Sequence, residues 1–256
     1  MISRIAHTLF VLMQSTFIEN VRDKVLYGIW IFAFIFSTFT LFLGSISLGE
    51  NLHIVRSLGL AGMYLFGLLI TIFLATSLVF KELERKTAYF ILSKPVSRWQ
   101  MVVGKFSGLL ASVAVSVAGM LAVYLGLVWY GGGGVDTGAM FAVGYELLEL
   151  GLIIALAIFF STFARPLAST VYTIVCLYIG HSLSLLPALS APAALQPVLT
   201  SLYYILPNLE KFNVRELVLY GGVPTTAHML TTVAYAVLYA GVLLFGASLL
   251  LGKREL

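Results

Sequence analysis

Six long apolar stretches constrain this sequence more than anything else in it. They cover residues 25–48, 58–80, 102–130, 139–163, 167–186 and 228–251. About 20 apolar residues carry a helix across a hydrocarbon core of about 30 Å, so each stretch reads as a crossing. Composition agrees: 60% of the residues are hydrophobic and only 10% are charged, against about 25% in a typical soluble domain. That leaves too little polar surface to coat a globule. The expected fold is all-α, a polytopic membrane protein with six transmembrane helices. The single cysteine, Cys176, excludes a disulfide framework, an iron–sulfur cluster and a multi-cysteine zinc site. The formal net charge of +4 is no nucleic-acid signal, because a lipid-buried chain has no large basic face to offer.

Lysine and arginine set the direction. With the N-terminus inside, Arg4, Arg22, Lys24, Lys81, Arg85, Lys86, Lys94, Arg98, Lys105, Arg165, Lys253 and Arg254 fall on the cytoplasmic side. Only Arg56, Lys211 and Arg215 fall on the other. Twelve of 15 on one side is a strong positive-inside bias and puts both termini in the cytoplasm. Trp129 and Tyr130 close the third stretch as an outer aromatic belt does.

Three segments are more than connectors. Residues 1–24 are not a secretory signal, since the apolar run Leu9–Met13 is too short and no small-residue cleavage site follows it. On a helical wheel Ile2, Ala6, Leu9, Phe10, Met13, Phe17 and Val21 share one face, opposite Arg4, His7, Thr8, Ser15 and Arg22. That pattern predicts an amphipathic helix along the inner membrane surface, either a plain anchor or one that also touches a partner. Residues 81–98, KELERKTAYFILSKPVSR, are far longer than a hairpin between helices needs. Helix formers to Leu92 carry charges of both signs, Pro95 ends the run, and Ser97 can cap the next helix. Such a helix, held between two spans, suits receipt of force from a cytoplasmic partner; a solvated charged loop is the plainer alternative. Residues 187–224 are too apolar for an ordinary loop and too broken by Pro192, Pro197 and Pro207 for one helix. Short interfacial or re-entrant helices on the outer side fit them best.

The loop is also where a family resemblance enters. KELERKTAYFILSKPVSRWQMVVGKFSG resembles the cytoplasmic loop of type-2 ABC exporter permeases, through Glu82, Glu84, Arg85, Thr87, Leu92, Pro95, Ser97, Arg98, Gly104 and Lys105. VRDKVLYG from Val21, YYILPNLEKF from Tyr203 and the terminal KREL are similar to that family as well. More narrowly, they resemble the subgroup containing the copper-site maturation permease for nitrous-oxide reductase. The resemblance implies one transmembrane permease domain over residues 1–256 that forms a homodimer in a prokaryotic inner membrane and binds two cytoplasmic ATPase subunits. ATP and magnesium would be held by those partners, and this chain would have no cofactor of its own. Residues 81–98 would be the coupling helix, with Glu82, Glu84, Arg85, Lys86, Thr87, Pro95 and Arg98 meeting the ATPase. Residues 1–24 would be the connecting helix, and 187–224 the re-entrant helices over the dimer cavity.

No catalytic constellation appears. Gly104-Lys105 is no phosphate loop, since Phe106 stands where Ser or Thr is required. His7, His53, His181 and His228 are too scattered to suggest a metal site. Gly131–Gly134 reads as a turn. Gly104 and Gly108 make a GxxxG pair, a weak signal for close helix packing. Glu146 and Glu149 are the polar residues of most interest. The roughly 14 residues from Leu150 to Phe163 span only about 21 Å, so the fourth helix has to include both glutamates, and their spacing puts them on one face. Ionisable groups in a span face a protein interior or a wet cavity. Either they line a path or bind a cation or outer partner, or they pair with Arg56, Lys211 or Arg215 or sit in a thinned interface. His181 is a similar case, as a path residue or a helix–helix hydrogen bond.

Three functions compete. The first is an ABC exporter permease driven by a separate ATPase chain. The second keeps the permease but passes ATP-driven movement to a periplasmic accessory protein without transport. The third is an ATP-independent channel or secondary transporter, which would be expected to show unwound breaks in paired spans.

Overall fold

Runs of apolar helix formers, interrupted where glycine, proline or charge intervenes, make most of the described residues helical. The structure, a computed structural model, describes residues 2–22, 24–46, 51–85, 97–134, 136–184, 201, 203 and 205–253. Among the described residues the longer elements are α1 (Ile2–Val21), α2 (Lys24–Ile46), α3 (Asn51–Arg85), α4 (Arg98–Tyr130), α5 (Thr137–Ser161), α6 (Pro166–Ser182), α7 (Arg215–Leu219) and α8 (Thr226–Lys253). A 3-10 turn, Leu209–Phe212, precedes α7. The outer segment is thus made of short helices where it is described; residues 187–200 lie outside the described residues.

Among the described residues, four helical stretches are long and apolar enough to cross a membrane: Leu52–Thr76 in α3, Arg98–Tyr130, Thr137–Ser161 and Thr226–Leu251. Of the other two expected crossings, α2 has 23 residues and α6 has 17. Pro166 opens α6 in the first turn, where a missing N–H is harmless. Its length, roughly 26 Å at 1.5 Å per residue, is a little short of the hydrocarbon core.

α5 is the centre of the bundle. A helix that is apolar all round has to be enclosed, and α5 packs against α3, α4, α6 and α8, with Leu150, Leu152, Ile153 and Ile154 buried. Asp136 starts it by accepting from Ala139 N (3.1 Å), which satisfies one orphan donor of the first turn. The glycine run before it is a turn in which Gly132 takes a φ of 80°, a conformation that favours glycine. At the start of α4, Ser97 N donates to Gln100 Oε1 (3.0 Å) as one half of a capping box.

α1 lies alongside α4. Leu12 covers Gly104, Thr16 covers Gly108, and Asn20 Nδ2 donates to Ser112 Oγ at 3.2 Å. Both helices advance by four residues per contact, so they run parallel over this seam. A Cβ on Gly108 would stand 2.6 Å from Thr16 Cβ and 2.8 Å from the Met13 carbonyl; glycine is what lets the backbones approach. Phe10 and Val11 stay exposed on the far side of α1.

Candidate functional site

The spacing of Glu146 and Glu149 turns both carboxyl groups toward α3, where Tyr64 and Gly67 occupy successive turns. Both glutamates are buried, Glu149 to within 2% of its exposed area and Glu146 to within 6%. Glu149 Oε1 accepts from Tyr64 OH at 2.7 Å and lies 2.8 Å from His181 Nε2. Tyr64 OH is also 2.8 Å from that nitrogen, so the three groups form a closed triangle.

From His181 the network leaves the spans. Its Nδ1 stands 3.2 Å from Glu210 Oε2 in the 3-10 turn. Glu210 Oε1 accepts from Asn213 Nδ2 (2.8 Å), and Arg215 Nε donates to Asn213 Oδ1 (3.3 Å). The Arg215 guanidinium then stacks 3.8 Å above the Tyr64 ring, a cation–π contact that closes the circuit. Six side chains from α3, α5, α6, the 3-10 turn and α7 are joined in one ring. Its chemistry is that of a clasp. Carboxylates only accept, so while the single Tyr64 hydroxyl proton goes to Glu149, an imidazole facing a carboxylate on each side is satisfied at both nitrogens only when both carry a hydrogen.

Glu146 stands one turn before Glu149. Its Oε1 is buried without a hydrogen-bond partner and rests against Gly67, where any Cβ would collide with it. An unpaired buried polar atom costs about 1–3 kcal/mol.

The three cations weighed as partners for these glutamates are engaged elsewhere. Arg56 Nε pairs with Asp136 Oδ2 at 3.3 Å, and Tyr124 OH donates to the same oxygen at 2.9 Å. Lys211 Nζ sits 4.4 Å over the Tyr235 ring. Arg215 joins the ring only through Asn213 and Tyr64. Among the described residues, the ion-pair partner of Glu149 is His181 when its ring is protonated. His181 is therefore a helix–helix bridge and also a link to the outer segment. Tyr64, Glu210 and Asn213 were not foreseen. Tyr64 hides in an apolar run, and Glu210 reads as part of a polar return loop until the fold brings it to His181.

The loop residues are placed differently. The apolar stretch in α3 ends at Phe80, yet the helix continues to Arg85, five residues or roughly 7 Å farther. Glu82, Glu84 and Arg85 stand on this extension, with side chains outside the described residues. Lys86, Thr87 and Pro95 lie outside the described residues altogether. Arg98 is exposed at the first residue of α4, and its guanidinium donates to the Leu251 carbonyl in the last turn of α8. That bond puts the end of the loop beside the end of the last helix.

The comparison with protein families settles what kind of chain carries these features. The description of ABC-2 family transporter proteins matches residues 10–256. The chain belongs to the ABC-2 transporter family. It is accordingly a multi-pass membrane protein and a permease subunit of an ABC transporter rather than the ATPase, with ATPase subunits as partners. No curated protein matches it.

Proposed function

We propose that this permease couples ATP hydrolysis in two separate cytoplasmic ATPase subunits to export across a prokaryotic inner membrane. It does so as a homodimer, with six crossings per chain, both termini cytoplasmic, and no cofactor of its own. α2 and α6 supply the two crossings beyond the four longest helices. The single observation that carries the coupling is α3. Its helix runs past the apolar crossing into the charged segment without a break, so displacement of Glu82, Glu84 and Arg85 is transmitted rigidly to the span. Residues 81–98 act as the coupling helix, Arg98 ties the loop to α8, and α1 is the connecting helix. Nucleotide drives the permease because it favours one arrangement over the other.

The test is a double charge reversal, Glu84→Arg with Arg85→Glu. The spans should still assemble, but the ATPase subunits should no longer co-purify or be stimulated by the permease. Undiminished stimulation would remove the coupling assignment.

A second reading, transmission of force to a periplasmic accessory protein, draws support from the ring of side chains that fastens the outer segment to α3, α5 and α6. It also accords with the narrower resemblance to the copper-maturation subgroup. Stoichiometric capture of a periplasmic protein from native membranes, with no transport by the reconstituted complex, would favour it over export.

A further inference from the structure

We infer that His181 is a proton-operated clasp that fastens the outer segment to the transmembrane bundle. The inference rests on the geometry of the ring of side chains and not on the transport reading. His181 ends α6, is 23% exposed, and presents one ring nitrogen to each of two carboxylates on different elements. Glu149 on one side is almost fully buried, whereas Glu210 on the other is 37% exposed. The imidazolium donates Nε2–H to Glu149 and Nδ1–H to Glu210. Loss of one proton leaves a lone pair facing a carboxylate oxygen, and that contact turns from attraction to repulsion. The more exposed side gives way, because water can replace it for Glu210 but not for Glu149.

The other groups facing the ring fit this assignment. Tyr64 on α3 has one hydroxyl proton to share between Glu149 and a bare Nε2; given to Nε2 it would leave the buried Glu149 carboxylate with no donor from this pair, so the hydrogen bond to Glu149 is kept. Glu146, one turn before Glu149 on α5, adds a second carboxyl group to the same face. Arg215 on α7 is stacked on Tyr64, and Lys211 in the 3-10 turn is held over Tyr235 of α8. α6 itself carries no other charged side chain. Histidine is the side chain whose charge changes in the physiological range. The clasp is closed at low pH, where the doubly protonated ring persists, and it opens as pH rises through the titration of His181.

The chemistry also names a variant that holds it closed at high pH. Glu210 uses Oε2 toward His181 and Oε1 to accept from Asn213. Glu210→Gln keeps the oxygen for Asn213 and sets an amide donor against Nδ1. A neutral imidazole then donates at Nε2 and accepts at Nδ1, so every contact survives without the proton.

The test uses the full chain in lipid nanodiscs with Cys176→Ser, spin-labelled at Trp129→Cys (end of α4) and Glu216→Cys (α7), both exposed. Distances are measured by pulsed electron resonance from about pH 5 to about pH 9, across the histidine range. The expected result is one narrow distance at low pH and a second, broader population at high pH. Glu210→Gln should reverse the dependence, holding the narrow distance at high pH and loosening at low pH, and His181→Gln should make the distribution independent of pH. A pH-insensitive parent protein would overturn the inference. So would loosening at high pH that persists in Glu210→Gln, or any pH-dependent change in His181→Gln, which would place the titrating group elsewhere.

Discussion

Tyr64 shows how much one hydroxyl can hold in a span. Its ring carries Arg215 while its OH serves Glu149 and His181. Tyr64→Phe keeps the ring and removes one donor from a buried carboxylate, a loss of about 1–3 kcal/mol. Unfolding of the purified chain in detergent should register that loss, and an unchanged transition would mean that the hydrogen bond contributes nothing net. Gly67 offers a sharper measurement. Gly67→Ala drives a Cβ into Glu146 Oε1 and to 3.2 Å from Leu150 Cδ1, a strain of about 1–3 kcal/mol. Most of that cost should vanish when Glu146→Ala is already present. Equal costs in both backgrounds would show that Leu150 or the helix backbone resists the methyl group, not the carboxyl group. At this scale the sequence announced the groups that are expensive in a membrane. Glu146, Glu149 and His181 stand out because ionisable side chains in a span need an explanation. Their partners do not stand out. Tyr64 has an apolar body that blends into its run, and Glu210 lies 61 positions from Glu149, so only folding reveals the pairing.

Helices were legible where periodicity and length spoke alone, and their neighbours were not. The boundaries of α4 and α5 follow from Ser97, the glycine run and Asp136, all local signals. The central place of α5 was not legible, because the other crossings are nearly as apolar; only its packing against α3, α4, α6 and α8 shows it. The pair Gly104 and Gly108 gave only a weak hint, since such pairs are common and the sequence does not say which helix uses them. The structure assigns that place to α1, whose Thr16 and Asn20 turn inward although the wheel made Phe10 and Val21 part of its principal apolar face. Substitution at this seam separates docking from membrane anchoring. Gly108→Val should push α1 off α4, because the Met13 carbonyl at 2.8 Å is backbone and cannot rotate away. Hydrogen exchange should then accelerate along Ile2–Val21 while α5 stays protected. If α1 remains as protected as before, lipid and not α4 is what holds it.

At the scale of the bundle, five cations among the described residues stand at two different ends. Arg98 meets Leu251 at one end of the bundle, and α5 and α6 are joined there through the Arg165 turn. Arg56 with Asp136, Lys211 on Tyr235 and Arg215 on Tyr64 lie toward the other end. Of the twelve cations assigned to the cytoplasm, Arg98 and Arg165 thus lie at the end opposite Arg56, Lys211 and Arg215, and the four longest crossings alone do not fix the count of six. Helix direction follows from the chain, but the side of the membrane follows only from the charge bias, through the tendency of Lys and Arg to remain in the cytoplasm. Thiol labelling decides it. On a Cys176→Ser background, Trp129→Cys, 76% exposed at the end of α4, should react with a membrane-impermeant maleimide on intact cells. Arg165→Cys, at the start of α6, should react only after permeabilisation. The reverse pattern would invert the permease and detach the charged extension of α3 from any cytoplasmic ATPase. Labelling of both positions from outside would break the topology between α4 and α6, because α5 would then not cross the membrane.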